Sequence, residues 1–341
     1  MISHKEARQL EQFIRKQEKL ANHCSYAIGG NAEYFASPRT VAELVALLRY
    51  CNQQRLEYTI FGIGSNILFS DRPNVNTMYI SLKELLQFEV KDHEWFVSAG
   101  IPMSMLALAG ELIHSTDFQF THLLPGSFGA GIYMNAKYYQ GQIGDVISRV
   151  YYLDMAEPSL EIKCIPVEEC KYGYKQSIFQ NNPWIIVGAD ISVEGHPLLS
   201  KLEIESVLEK YMLMEDNKSN LMQFHAFFSG EMKRLTQPET PVFIQEIEEY
   251  RSQNKHFVNH SCGSYFKNNY DIGKSIGALV DQLQLKGTAC GGAMISSHHG
   301  NMLINVNNAT AENILQLQAI VSEAISKKYG FIPEPEVQII K

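Results

Sequence analysis

Five short segments hold the residue types from which a reactive site is built. In the first, Gly62, Ile63, Gly64, Ser65 and Asn66 follow a β-prone run. Two glycines one residue apart let the backbone turn tightly and bring amide N–H groups close to an anion, and Ser65 and Asn66 add side-chain donors. The segment is not the dinucleotide fingerprint with three glycines, because Ile67 holds the third glycine position. Alone it reads equally as a β-turn. In the second, Pro125, Gly126, Ser127, Phe128, Gly129, Ala130 and Gly131 precede Met134, Asn135 and Ala136. Small residues in an apolar stretch suit either close packing or a backbone cradle for a large cofactor.

The third segment is Cys262, Gly263, Ser264, Tyr265, Phe266, Lys267 and Asn268. If it is extended, Ser264, Phe266 and Asn268 share one face and Tyr265 and Lys267 the other. A serine on a strand is usually a surface hydroxyl and less often a catalytic group. The fourth, Tyr172, Gly173, Tyr174, Lys175, Gln176 and Ser177, reads on its own as a turn with exposed polar side chains. The fifth, Pro333, Glu334, Pro335, Glu336 and Val337, sets a carboxylate in a stiff late segment. That is a strand entry or a positioned acid. His256, His260 and Cys262 invite a metal reading, but no helix aligns the imidazoles and no fourth ligand is evident, so no metal is expected. His298 and His299 are adjacent and point apart on any regular element.

The elements that must position these segments follow from hydrophobic periodicity. A sparse apolar stripe over residues 5–20 predicts a short surface helix. Thr40 as cap, Glu43 and the stripe at Val41, Leu44, Val45, Leu47 and Leu48 predict a helix over 40–55. Strands are predicted over 58–61, 78–82, 95–98, 150–153, 161–165 and 184–187, and a helix over 102–114. Residues 123–145, rich in glycine, read as a long apolar loop. Residues 200–255 are mostly helical in character, broken at Pro238, Pro241 and 216–219. The last third alternates a helix near 275–285, a strand near 302–306, a helix over 310–329 and a strand over 337–340. The fold class is α+β with at least two domains.

The chain has 341 residues, a formal net charge of −8 and 45% hydrophobic residues. Length and balance fit two or three globular domains. An acidic chain without clustered Lys and Arg is not built to bind nucleic acid, though a local pocket can still take an anionic small molecule. The six scattered cysteines form no CxxC pair and read as reduced thiols of a cytoplasmic protein. No signal peptide is visible, and no apolar run reaches the ~18 residues of a membrane span.

Taken in order, these segments resemble the UDP-N-acetylenolpyruvoylglucosamine reductase family. Its motifs stand here at residues 28–32, 62–66, 125–135, 173–175, 263–268 and 335–337. Residues 279–287, the Gly291, Gly292, Ala293 run, and His299 through Asn301 also look like the family. The likeness covers about residues 23–340. Each motif is loose, but six or more in one order are jointly specific. It implies two N-terminal α+β lobes, 1–90 and 91–200, holding FAD in the manner of vanillyl-alcohol-oxidase/PCMH-type flavoproteins. A substrate-binding α+β domain over 205–325 would follow, with the end of the chain, 330–341, returning to the first lobe.

By that resemblance Gly62, Gly64, Ser65, Asn66, Pro125, Gly126, Ser127, Gly129 and Asn135 would bind FAD. Ser264, Glu336 and Lys175 would be catalytic, and Tyr174, Lys267, Asn268, Gln282 and Asn301 would contact the substrate. NADPH would be co-substrate and a UDP-sugar the small-molecule partner. This sequence departs from the pattern where Lys175 replaces an arginine, Lys137 and Gln140 replace glycines, and Gln338 replaces an arginine. The approach to Ser264 lacks the usual proline and is longer, through about 215–245. Two other readings remain: a related FAD-dependent oxidoreductase with another substrate, and a non-catalytic UDP-sugar-binding paralogue.

Overall fold

A computed structural model describes residues 10–90, 94–193, 203, 206, 210, 221–237 and 239–341. The helix expected over 5–20 begins partly outside that range. Within it, residues 10–13 are helical, Glu18–Lys19 pairs as a short strand with Asn31–Ala32, and Leu20–His23 is a 3-10 turn. Most of the helix-like stretch at 200–220, with its break at 216–219, lies outside the described residues, as does Pro238.

The first sheet is parallel: β1 (Tyr34–Ala36), β4 (Thr77–Ser81) and β2 (Glu57–Phe61), in that spatial order. Helix α1 (Val41–Gln54) makes the crossover from β1 to β2. Thr40 accepts from the Glu43 amide at 3.1 Å, satisfying an N-terminal donor as its sequence signature predicts. Strand β3 (Ile67–Phe69) pairs in parallel with the last strand, β14 (Gln338–Ile340), so the chain end returns beside the Gly62–Asn66 loop.

The second sheet is antiparallel, ordered β8 (Ile162–Pro166), β7 (Ile147–Asp154), β9 (Trp184–Ser192), β6 (Glu94–Ser98), β5 (Phe88–Glu89). Against it lie α2 (Met103–Leu112) and α3 (Phe128–Met134). The α3 stretch departs from the loop expected over 123–145. Gly129 and Gly131 lower helix propensity, which hides the helix in the sequence. Packing requires them, because a Cβ on Gly129 would stand 2.6 Å from Ala99 Cβ and one on Gly131 2.7 Å from Met103 Sδ. Asn135 closes the helix in the left-handed region at φ 43°.

Helices α4 (Leu221–Thr236) and α5 (Val242–Gln253) come next. Expected with the third unit, they instead bury Phe224, Phe228, Met232, Ile244 and Ile247 in the core of the second sheet. The last sheet is antiparallel: β10 (His260–Ser261), β13 (Leu303–Asn305), β12 (Ala293–Ile295), β11 (Ala289–Cys290). It packs with α6 (Ile276–Gln282) and α7 (Ala311–Tyr329) in a core shared with Phe35, Phe61 and Phe69 of the first region. That sharing ties the segment of Ser264 to the segment of Gly62. All six cysteines are free thiols. No helix among the described residues is long and apolar enough to cross a membrane.

Candidate functional site

Two adjoining cavities gather the predicted segments. The first, about 300 Å³, has Gly62, Gly64, Ser65 and Asn66 on one wall and Ser127, Gly129 and Ala130 on another. Gly64 sits at φ +70°, and a Cβ there would stand 2.1 Å from the His23 carbonyl oxygen, so the turn admits only glycine. Among the described residues the N–H groups of Gly64, Ser65 and Asn66 meet no acceptor. They are free donors aimed from a tight turn, the arrangement that holds a phosphate anion. On the second wall part of the expected backbone cradle is taken up within the protein, while the Gly126 and Ser127 amides meet no acceptor among the described residues. The Phe128 amide donates to the Ile101 carbonyl at 2.7 Å and the Gly129 amide to the Ala99 carbonyl at 2.9 Å. This wall also offers Ser127 Oγ, buried without a hydrogen-bond partner and close enough to Gly62 that a Cβ there would stand 2.0 Å from it. Free amides, an orphaned hydroxyl and a wall of Ile60, Ile63, Ala130 and Ile186 fit a ligand with both a diphosphate and a flat apolar body.

The second cavity, about 380 Å³, shares Ser65, Asn66, Ala130 and Met134 with the first. Three distant segments supply its chemistry. Gly263, at φ +72°, turns the chain into the Ser264 strand-like segment. Ser264, Phe266 and Asn268 line the cavity while Tyr265 and Lys267 do not, the alternation expected of an extended segment; Tyr265 is buried on the other side, its hydroxyl donating to Gln318 Oε1 at 2.5 Å. The C-terminal segment runs antiparallel to it: the Glu336 amide donates to the Tyr265 carbonyl at 2.7 Å and the Lys267 amide to the Glu334 carbonyl at 2.9 Å. This register carries both Ser264 and Glu336 to the cavity. The turn at Gly173–Gln176, expected as such, sets Lys175 at φ 57° and aims its Nζ at Glu336 Oε1, 2.7 Å away. Asn66 Nδ2 donates to the Glu336 carbonyl at 3.0 Å, linking this floor to the first cavity's loop.

Tyr174 and Asn268 stand at the same cavity, with the Asn268 amide 3.4 Å from the Tyr174 hydroxyl. Burial, more than its hydrogen bond to Tyr270, raises the Tyr174 phenol above its ordinary pKa. Pro125 and Gly126 line this cavity as well.

Four predicted residues are not brought to either cavity. Asn301 is buried and braces the Phe266 backbone in both directions, accepting from its amide at 3.0 Å and donating to its carbonyl at 2.9 Å. Asn135 likewise holds the Gly144 amide and the Gly173 carbonyl. Gln282 is exposed and accepts from the Tyr329 hydroxyl at 3.0 Å. Lys267 is paired with Glu334 at 2.6 Å. Tyr138, Tyr139, Tyr250, Arg251 and Tyr270, which stand in none of the predicted motifs, line the second cavity with His256 and His299. Burial, Arg251 and His299 push His256 down to about 3, and burial and Lys286 lower His299. Among the described residues no group of His, Cys, Asp and Glu side chains is arranged to hold a metal.

The fold is of α+β class, and its cavities fit an FAD-binding oxidoreductase. The family model described as "FAD binding domain" matches residues 32–159, and that described as "UDP-N-acetylenolpyruvoylglucosamine reductase, C-terminal domain" matches 253–340. The UDP-N-acetylenolpyruvoylglucosamine reductase of Lachnoclostridium phytofermentans is 30% identical over 327 residues, covering 95% of this chain and 91% of that one. The reductase of Caldanaerobacter subterraneus is 27% identical over 323 residues, with 95% and 92% covered. The crystal structure of the reductase from Thermus caldophilus shares the fold, with a TM-score of 0.65 at 21% identity over 96% of this chain and all of that one. The chain belongs to the UDP-N-acetylenolpyruvoylglucosamine reductase family.

Proposed function

We propose that this chain reduces UDP-N-acetylglucosamine enolpyruvate to UDP-N-acetylmuramate, with FAD as cofactor and NADPH as hydride source, for peptidoglycan synthesis. Beside the family membership, one observation carries the reading. Ser264, Lys175 and Glu336, far apart in the sequence, line one cavity that adjoins the one walled by Gly62, Ser65, Ser127 and Gly129. Gly62, Gly64, Ser65, Asn66, Ser127 and Gly129 would hold FAD, which would supply the hydride transfer from NADPH to the terminal carbon of the enolpyruvyl group.

The residues of this chain govern the other half of the addition. Hydride arrival leaves carbanion character on the carbon beside the carboxylate, which fixed positive charge stabilises. Lys175 Nζ is that charge, held in place by Glu336. Lysine gives a point charge where a guanidinium would give a planar fork, so orientation rests on the ion pair. Ser264 Oγ then delivers the proton to the carbanion carbon. A serine is a weak acid and serves only a strongly basic acceptor held close to it. Tyr174 and Asn268, at the same wall, contact the sugar nucleotide. Residues 1–90 and 91–200 form the two cofactor lobes in this reading, and 205–325 the substrate part, with α4 and α5 docked on the second lobe. Its substrates, NADPH and a nucleotide sugar, are made in the cytoplasm, which is where the reading puts the chain.

The test is Ser264→Ala studied one half-reaction at a time. NADPH reduces the bound flavin at the unaltered rate, while reoxidation by the enolpyruvyl substrate slows about 100-fold or more. If both half-reactions keep their rates, Ser264 is not the proton donor.

A further inference from the structure

A buried polar chain stands behind the first cavity, and the reaction above gives it no part. His23 ends the 3-10 turn Leu20–His23 and is 5% exposed. Its ring lies stacked on Phe35, with centroids 4.1 Å apart. Nε2 stands 2.6 Å from Glu18 Oε1, and Nδ1 stands 3.0 Å from Nζ of Lys83. Lys83, 8% exposed, belongs to the 3-10 turn Leu82–Glu84 that follows β4. An ammonium can only donate, so Nδ1 accepts from Lys83 and Nε2 carries the proton given to Glu18. A carboxylate, a neutral imidazole and an ammonium therefore stand in series. Glu18 also holds Arg15 at 3.2 Å.

Both ends of the His23–Lys83 contact reach the Gly62–Asn66 loop through the backbone. On one side, the His23 carbonyl oxygen is the atom that excludes a Cβ at Gly64. The Ser25 amide, two residues on, donates to the Gly64 carbonyl at 3.0 Å. On the other side, Ser81 Oγ, two residues before Lys83, donates to the Gly62 carbonyl at 2.7 Å. Leu82, next to it, lines the first cavity. The segments that grip the two glycines are thus joined by one hydrogen bond between residues 60 apart in sequence. Burying an amine and an imidazole costs free energy that an apolar pair at the same place would not. What the chain secures in return is the spacing of the two grips, and with it the turn that leaves the amides of Gly64, Ser65 and Asn66 without an acceptor.

We propose that Glu18, His23 and Lys83 form a positioning relay that holds the Gly62–Asn66 loop in the shape that receives the diphosphate of FAD. The three act through the loop backbone and not by touching the cofactor. The inference rests on the FAD reading of the first cavity given above. Without the imidazole nitrogens the direct bond between the two grips is lost, and FAD binding must order the loop itself.

The test uses the FAD-loaded protein. FAD retention is measured by equilibrium ultrafiltration, and the bound diphosphate is observed by phosphorus NMR. His23→Phe keeps a ring against Phe35 and removes both hydrogen bonds. Lys83→Met keeps the stem and removes the amine. Each weakens FAD binding about 10- to 100-fold, the range for losing a charged hydrogen bond, and shifts the diphosphate resonances of the FAD that stays bound. His23→Gln, whose amide can donate to Glu18 and whose carbonyl can accept from Lys83, restores most of the affinity and the unaltered resonances. If His23→Phe or Lys83→Met does not fold, Glu18→Gln, at the partly exposed end of the chain, decides by the same two readouts. Unaltered FAD affinity in every folded variant overturns the inference. So does weakened affinity with unaltered diphosphate resonances, which is what a general loss of stability gives. An unaltered protein that retains no FAD removes the flavin reading and the relay together, whereas FAD retained alike by every variant keeps the flavin reading and loses the relay.

Discussion

Removing Lys175 tests how the floor of the second cavity is held. Its Nζ lies 2.7 Å from Glu336 Oε1, with the two side chains 17% and 15% exposed. At an effective dielectric of about 20, two unit charges at that separation attract by about 6 kcal/mol. Desolvation of both groups offsets much of this. Deleting one partner is different, because the other charge is left buried and unpaired, at a cost of about 3–5 kcal/mol in a fully buried pair. Partial exposure puts this pair at the lower end, about 3 kcal/mol. Lys175→Met and Glu336→Gln should each lower the free energy of urea unfolding by about that amount. The double variant should lose well under the sum, since no stranded charge remains, giving a coupling of about 2 kcal/mol. In stopped-flow assays Lys175→Met should slow flavin reoxidation by the enolpyruvyl substrate about 100-fold, as loss of one preorganised charge at a developing anion does. Its reduction by NADPH should be unaltered. Additive stability losses would show that the two charges do not depend on each other, and reoxidation at the unaltered rate in Lys175→Met would remove Lys175 from the addition step.

Asn301→Ala should lower the unfolding free energy by about 2–4 kcal/mol, because it strands both the amide and the carbonyl of Phe266. Calorimetric affinity for UDP-N-acetylglucosamine should persist; intact stability with lost affinity would make Asn301 a ligand contact instead. His23 is held down to about 4, chiefly by burial and then by Lys83. Between that value and about 6.5 the unfolded chain binds a proton that the folded chain does not, so stability is present above the window and falls on acidification. From pH 7 to 5 the unaltered protein should lose about 2 kcal/mol more than His23→Gln in urea titrations; equal losses would remove His23 as a cause.

Much of the fold is legible in the sequence where a local signal and the tertiary environment agree. Thr40 and Glu43 mark the start of α1 because capping is a matter of three residues. The strands β2, β4 and β6 follow from short β-prone runs. Helix α3 was hidden because Gly129 and Gly131 answer to Ala99 and Met103, residues remote in sequence. The same divide runs through the site. Ser264, Lys175 and Glu336 stand in recognisable motifs, and the structure brings them to one cavity. Asn135 and Asn301 stand in motifs too, yet their hydrogen bonds go to the backbone that shapes the site. A motif shows that a residue matters and leaves open whether it touches a ligand or holds the residue that does. Arg251 stands in no motif, and nothing local joins it to His299, whose own segment looks like the family; only the folded chain sets the two on one cavity wall.

In the proposed reaction this chain passes reducing equivalents from NADPH to an enolpyruvyl UDP-sugar. The direct measurement is the visible spectrum of the FAD-loaded protein without oxygen, first with NADPH and then with UDP-N-acetylglucosamine enolpyruvate. The flavin band should bleach with NADPH and recover fully on adding the sugar nucleotide. Bleaching without recovery would contradict the assigned substrate, and a protein that retains no flavin would contradict the oxidoreductase itself.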